Sequence, residues 1–207
     1  HRDLHSFPTR RSSDLYDYGY AHPFAFILLA VDMAGDIHVV DYVSKTRCEV
    51  EEQGDLINEV VGDKKLNVFC GVDIWNKEGG PTIVSRLRNK CPNLSFVRAN
   101  TNRVQGVAEL RKWISEDRLT FFSNTTPVFE QLLTIQHDPK KPEDVLKINA
   151  DDNGDNGDDL FDALKYAILT WIYPLTKQEK IEPNTKEDML QWIEKRSKLR
   201  SLQYDVS

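Results

Sequence analysis

No apolar run in this chain approaches the length of a membrane span; the longest, Phe24–Val31, is strand-sized. Cysteine is scarce. Cys48, Cys70 and Cys91 form no metal-ligand spacing, and their odd number argues against a disulfide framework and fits a reducing interior. Positive charge is in deficit: 27 Lys and Arg face 33 Asp and Glu, for a formal charge of −6. That balance excludes a protein holding nucleic acid by bulk electrostatics alone, so any such contact must use local basic patches or bound cations. No Gly-x-x-x-x-Gly-Lys-Ser/Thr loop occurs, so the chain carries no P-loop. No internal repeat is visible. What remains is 207 residues, enough for one domain with a real core and no disulfide or metal staples.

Residues 1–15, HRDLHSFPTRRSSDL, lack the apolar stretch of a signal peptide. They are similar to a translated sequencing adapter and are set aside from fold reasoning as a non-native segment. The authentic chain is then expected to begin at Tyr16, cut from a longer protein with an upstream domain.

The following residues give strands and helices in a definite order. Residues 16–31, YDYGYAHPFAFILLAV, read as a strand, a break over 19–23 and a buried strand. MAGD at 33–36 supplies a turn, and 37–43 alternates as the return strand of an antiparallel hairpin. Leu56, Ile57, Val60 and Val61 share a helical face within 48–61. A short strand at 66–72 runs into Asp73, and a helix at 81–90 follows Gly79-Gly80. A strand at 94–97 precedes an amphipathic helix marked by Val104, Val107, Leu110 and Ile114. A strand at 119–122 and a short helix from Pro127 to about Ile135 come next. Residues 137–158 turn polar, end in ADDNGDNGDD and read as loop. A hairpin followed by alternating strands and helices predicts an α/β domain over 16–174, with a central mixed sheet flanked by helices. Residues 175–207 read as a polar linker and a C-terminal helix capped through Thr185 and Asp188.

The stretch GDDLFDALKYAILTW carries the chemistry. Leu160, Ala163, Leu164, Ala167, Ile168 and Trp171 recur at three- and four-residue steps, which predicts one buried helical face. Asp158 alone reads as a cap, and acids in a first turn gain from the helix dipole. Asp17 and Asp73 also end apolar strand-like runs, where side chains from separate strands converge. Divalent cations of the magnesium type prefer oxygen ligands, and two of them about 3.5–4 Å apart neutralise the attacking and leaving oxygens of a phosphodiester. Asp17 and Asp73 with Asp159 or Asp162, and Asp158 beside them, are the candidate set.

The segments DYGYAHPFAF, VFCGVDIWNKEGG, VRANTNRVQGVAELRKWISEDRL and GDDLFDALKYAI together resemble the nuclease domain of phage terminase large subunits, over nearly all of 16–173. The resemblance implies an RNase H-like fold. It also implies a metal-dependent endonuclease that cuts concatemeric viral double-stranded DNA during genome packaging in the host cell cytoplasm, using two Mg2+ or Mn2+ ions. It matches Asp17 to a first-strand acid that bridges both ions and Asp73 to the acid after the fourth strand. The third acid falls either in the pair Asp158-Asp159 or at Asp162; Asp159 and Asp162 together are favoured because their i, i+3 spacing shares one helical side. Implied partners are double-stranded DNA, an N-terminal ATPase domain lacking here, the portal and the small terminase subunit.

Phosphate contacts are expected from Arg98 and Arg103, which flank a loop after a strand, and from Lys77 and Arg86. Lys64, Lys65, Arg88, Lys90, Lys140 and Lys141 are further candidates. Other readings stand beside this one. A resolvase- or transposase-type RNase H-like nuclease would share the acids, although residues 102–119 favour terminase. Asp151, Asn153, Asp155 and Asp162 fit the ligand spacing of an EF-like calcium loop, weakened by Asn156 where the turn glycine belongs. The last is a non-catalytic DNA-binding module.

Overall fold

The computed structural model describes residues 11–76, 80–150 and 157–172, with side chains from residue 15 to residue 171. Lys77, most of the acidic loop and the expected C-terminal helix lie outside the described residues. Strands β1 (Arg11–Asp17), β2 (Phe24–Val31) and β3 (Ile37–Lys45) form an antiparallel meander. Parallel to β1 and beyond it run β4 (Leu66–Cys70) and then β5 (Leu94–Arg98), while β6 (Leu119–Phe121) lies parallel to β3. The sheet order is β5-β4-β1-β2-β3-β6, the mixed sheet the sequence predicts.

Helices α1 (Val50–Val61) and α2 (Ile83–Lys90) pack on one face of this sheet. Helices α3 (Arg103–Ser115), α4 (Thr126–Thr134) and α5 (Asp159–Ile172) pack on the other. Burial on both faces explains the unbroken apolar run of β2, since neighbouring strand residues point in opposite directions. Phe24, Phe26 and Leu28 enter the α1–α2 core, and Ala25, Ile27, Leu29 and Val31 enter the α3–α5 core. The MAGD turn forms as expected: Gly35 takes φ 87°, and Asp32 accepts from the Asp36 and Gly35 amides.

Several expectations are corrected. Residues 11–15, set aside as foreign, supply most of β1, the strand between β4 and β2. A strand is held through its backbone, so the slot is filled by any chain that can extend and place an apolar residue inward. Leu15 does so, buried with 1% of its surface exposed. Strand β4 stops at Cys70, where its partners Tyr16 and Arg98 are met, and Asp73 opens a 3-10 turn, Asp73–Trp75, instead of ending the strand. The polar stretch after α4 contains a hairpin, β7 (His137–Asp138) and β8 (Lys141–Val145), whose exposed residues give no apolar alternation to read. In α3 the buried positions are Gly106, Val107, Leu110 and Trp113, while Val104 and Ile114 are exposed. Helix α5 is buried on more than one face: Phe161, Lys165 and Leu169 join the predicted stripe, because it packs between the sheet, α3 and α4.

Candidate metal centre

Asp17 ends the strand at the middle of the sheet, and its neighbours fix its direction. Its Oδ1 lies 3.2 Å from where a Cβ on Gly71 would stand, so the glycine leaves room for the carboxylate over the exit of β4. The loop after Asp17 is tied down by Gln53 of α1, fully buried, which accepts from Tyr16 Oη and donates to the carbonyls of Gly19 and Cys48 at 2.9 and 2.6 Å. A Cβ on Gly19 would meet the carbonyl oxygens of His22 and Pro23 at 2.4 and 2.5 Å. These are backbone atoms with nowhere to go. Gly19→Ala is therefore expected to cost about 1–3 kcal/mol, read as a lower melting temperature, because overpacking forces the loop to move.

The carboxylates of Asp17, Asp73, Asp159 and Asp162 act on one another across three elements. Burial first, then Asp162, Asp159 and Asp73, push the Asp17 carboxyl up to about 7, with Lys147 opposing. Burial and Asp158 raise Asp159 to about 6, with His22 opposing. Asp158 is also raised, by burial and then by Asp162. Asp73 stands exposed at the start of its 3-10 turn. Asp17, at the end of β1, is thus within electrostatic reach of Asp73, just past β4, and of Asp159 and Asp162 in the first turn of α5. Their orientation differs, however. Asp159 Oδ2 folds back towards Gly157, within 2.5 Å of a Cβ built there. Asp162 has both oxygens engaged, Oδ1 by Lys165 Nζ at 2.5 Å and Oδ2 by Arg103 Nη1 at 3.2 Å.

Arg103 is the hub of that arrangement. Its Nε donates to Asp144 Oδ1 at 2.9 Å and its Nη2 to the Val145 carbonyl at 3.2 Å. Asp158 Oδ2 is 3.5 Å from Nη2, yet is buried and makes no hydrogen bond among the described residues. Arg103, expected to meet phosphate, is therefore turned inward onto Asp144, Asp158 and Asp162. Arg86 is likewise engaged, by Glu51. Lys165 is fully buried, and burial lowers its pKa against the pull of Asp162. A Cβ on Gly106 of α3 would lie 2.6 Å from Lys165 Cγ, which explains a glycine inside a helix at a cost of about 1 kcal/mol. At the start of α5 the Phe161 amide donates to Gln131 Oε1 of α4 at 2.7 Å.

Sequence reasoning missed Lys165, Asp144 and Lys147. For Lys165 the signal was present, an i, i+3 partner for Asp162. Asp144 and Lys147 are separated in sequence from the acids and carry no local signal.

The donor set suits a hard divalent cation: oxygen ligands only, crowded until their charge is held back, with an orphaned buried oxygen on Asp158. Among the described residues no three His, Cys, Asp or Glu are drawn close enough to hold one ion, so binding requires these side chains to close on it.

A mixed sheet opening with a three-strand meander, with acids at the end of β1, just beyond β4 and on a helix packed against β1, is the arrangement of an RNase H-like domain. A family model described as the terminase RNaseH-like domain matches residues 14–170, and the chain belongs to that family. The P22 large terminase nuclease domain is similar over 79% of this chain and 82% of that one, at 20% identity and TM-score 0.60. The large terminase nuclease of thermophilic phage G20c, solved with bound magnesium, gives 14% identity and TM-score 0.54 over 76% of this chain and 80% of that one. A thermophilic bacteriophage large terminase in complex with ADP gives 15% identity and TM-score 0.65, covering 80% of this chain but 40% of that one. At these identities the likeness establishes the fold. No curated protein sequence matches the chain.

Proposed function

We propose that this domain is a metal-dependent endodeoxyribonuclease that cuts concatemeric viral double-stranded DNA during packaging, in the host cytoplasm. The observation that carries the reading is that Asp17, at the end of β1, feels the carboxylates of Asp162, Asp159 and Asp73 from two other elements, which together with burial raise it to about 7. A pair of Mg2+ or Mn2+ ions would supply Lewis-acid chemistry here, activating water and stabilising the leaving oxygen. Asp17, at the end of β1 and under the influence of all three other acids, would serve as the shared ligand. Asp73, Asp159 and Asp158, whose Oδ2 is buried and makes no hydrogen bond among the described residues, would complete the ligand set once their side chains close on the ions. Asp162, bound on both oxygens, is a positioning residue that fixes the first turn of α5 through Arg103 and Lys165. That engagement also counts against Asp162 as the last ligand of a calcium loop. The ATPase domain, portal and small terminase subunit are the partners this activity requires.

The test is incubation of the full chain with supercoiled plasmid and Mg2+, Mn2+ or EDTA, beside Asp73→Ala. Nicking and linearisation should need the metal and vanish in the variant. Cleavage that survives EDTA, or that Asp73→Ala leaves intact, contradicts the reading.

A further inference from the structure

Two arginines near Asp73 stand apart from those held in ion pairs. Arg86, Arg103 and Arg118 are each paired with carboxylates. Arg88 and Arg98 are exposed, have no carboxylate partner among the described residues and stand over the ring of Trp75, their Cζ atoms 5.6 and 4.9 Å from its centroid. Trp75 closes the 3-10 turn that Asp73 opens. Its indole Nε1 is buried and has no acceptor among the described residues. A buried indole usually finds one, so what this position uses is the ring face, which attracts and orients cations.

The sheet fixes where this pair lies. Arg98 is the last residue of β5 and pairs with Cys70, which pairs with Tyr16, the residue before Asp17. Two strand spacings put the Arg98 backbone roughly 10 Å from the end of β1. Arg98 shares its side of the sheet with Leu94 and Phe96 of the α1–α2 core, whereas Asp17 falls with Leu15 on the α5 side. The turn Asp73–Trp75 leads out of β4 between them.

We propose that Arg88 and Arg98, held over Trp75, form a phosphate clamp that receives the DNA backbone across the sheet edge from the α5 acids. The proposal rests on the nuclease reading and extends it to the path of the substrate. With its backbone roughly 10 Å from the end of β1, Arg98 places the clamp beside the cut rather than at it. Guanidinium binds phosphate by paired hydrogen bonds, and stacking on an aromatic face sets its orientation beforehand. Arg86, neutralised by Glu51, contributes little.

The experiment is fluorescence anisotropy of a labelled duplex with the full chain in EDTA, over a series of KCl concentrations, beside the plasmid assay. Arg88→Ala/Arg98→Ala should raise Kd at low salt at least about tenfold and reduce the slope of log K against log salt by about 1.8, two phosphates' worth. Trp75→Leu should weaken binding several-fold, and Arg86→Ala should leave the slope unchanged. A wild-type chain that cleaves with metal, but whose salt slope the double variant does not move, overturns the clamp alone. A wild-type chain that neither binds nor cleaves overturns the nuclease reading and the clamp with it.

Discussion

Asp17→Asn is expected to reduce metal-dependent cleavage about 1,000-fold or more while making the metal-free fold more stable. The first half follows from its place as shared ligand, since removing several kcal/mol of transition-state stabilisation costs a factor of ten for each 1.36 kcal/mol or so. The second follows from its surroundings. Burial and three neighbouring acids raise the Asp17 carboxyl from 3.8 to about 7. A group whose pKa is raised on folding binds its proton more tightly in the native state. Its contribution is therefore fully present below about pH 4 and is lost as pH rises towards 7. The loss amounts to at most about 4 kcal/mol, less whatever solvent screens at this half-buried position. Urea unfolding in EDTA should show wild-type stability falling between pH 4 and 7 and a flatter profile for Asp17→Asn. A divalent cation, by replacing the proton, should restore stability most at the upper end of that window.

Asp162→Ala should do the opposite to the fold. Lys165 is fully buried and its amine lies 2.5 Å from Asp162 Oδ1, so removing the carboxylate leaves a cation in the core without that partner. Breaking a buried pair from one side costs about 3–5 kcal/mol. Urea unfolding at neutral pH should show a loss of that size, and Asp162→Ala/Lys165→Met should recover much of it. Asp159→Asn, three residues away, should be neutral or stabilising in the absence of metal, because it relieves the crowding with Asp158. The two acids of one helical turn are thereby separated into a structural anchor and a ligand. A matching loss in both variants would contradict that division.

Much of the fold was legible because the core is patterned by period. The apolar run of β2, the alternation of β3 and the three- and four-step spacing in α5 each name an element directly. Asp17 was legible as an acid closing a strand, whereas Asp73 lies three residues beyond its strand in a 3-10 turn. What the sequence did not show is how the charges pair. Arg103 reads as a surface cation after a strand, and only the fold brings Asp144, Asp158 and Asp162 around it. Lys165 is enclosed in the core, with room made by Gly106 of a helix far away in sequence. The β7–β8 hairpin escaped because its backbone pairing leaves no pattern in exposed polar residues. The Trp75 site carries no local signal, because its two arginines come from a helix and a strand distant in sequence.

The central claim is that Asp17, Asp73 and Asp159 hold the catalytic metal. Electron paramagnetic resonance of free Mn2+, titrated with wild-type chain and with Asp17→Asn, Asp73→Asn, Asp159→Asn and Asp162→Asn, tests it without relying on cleavage. The account predicts bound Mn2+ in the wild type, lost or weakened at least about tenfold in the first three variants and largely kept in Asp162→Asn. Binding that persists undiminished in Asp17→Asn and Asp73→Asn but disappears in Asp162→Asn would contradict it, and would move the metal to the acidic loop that precedes α5.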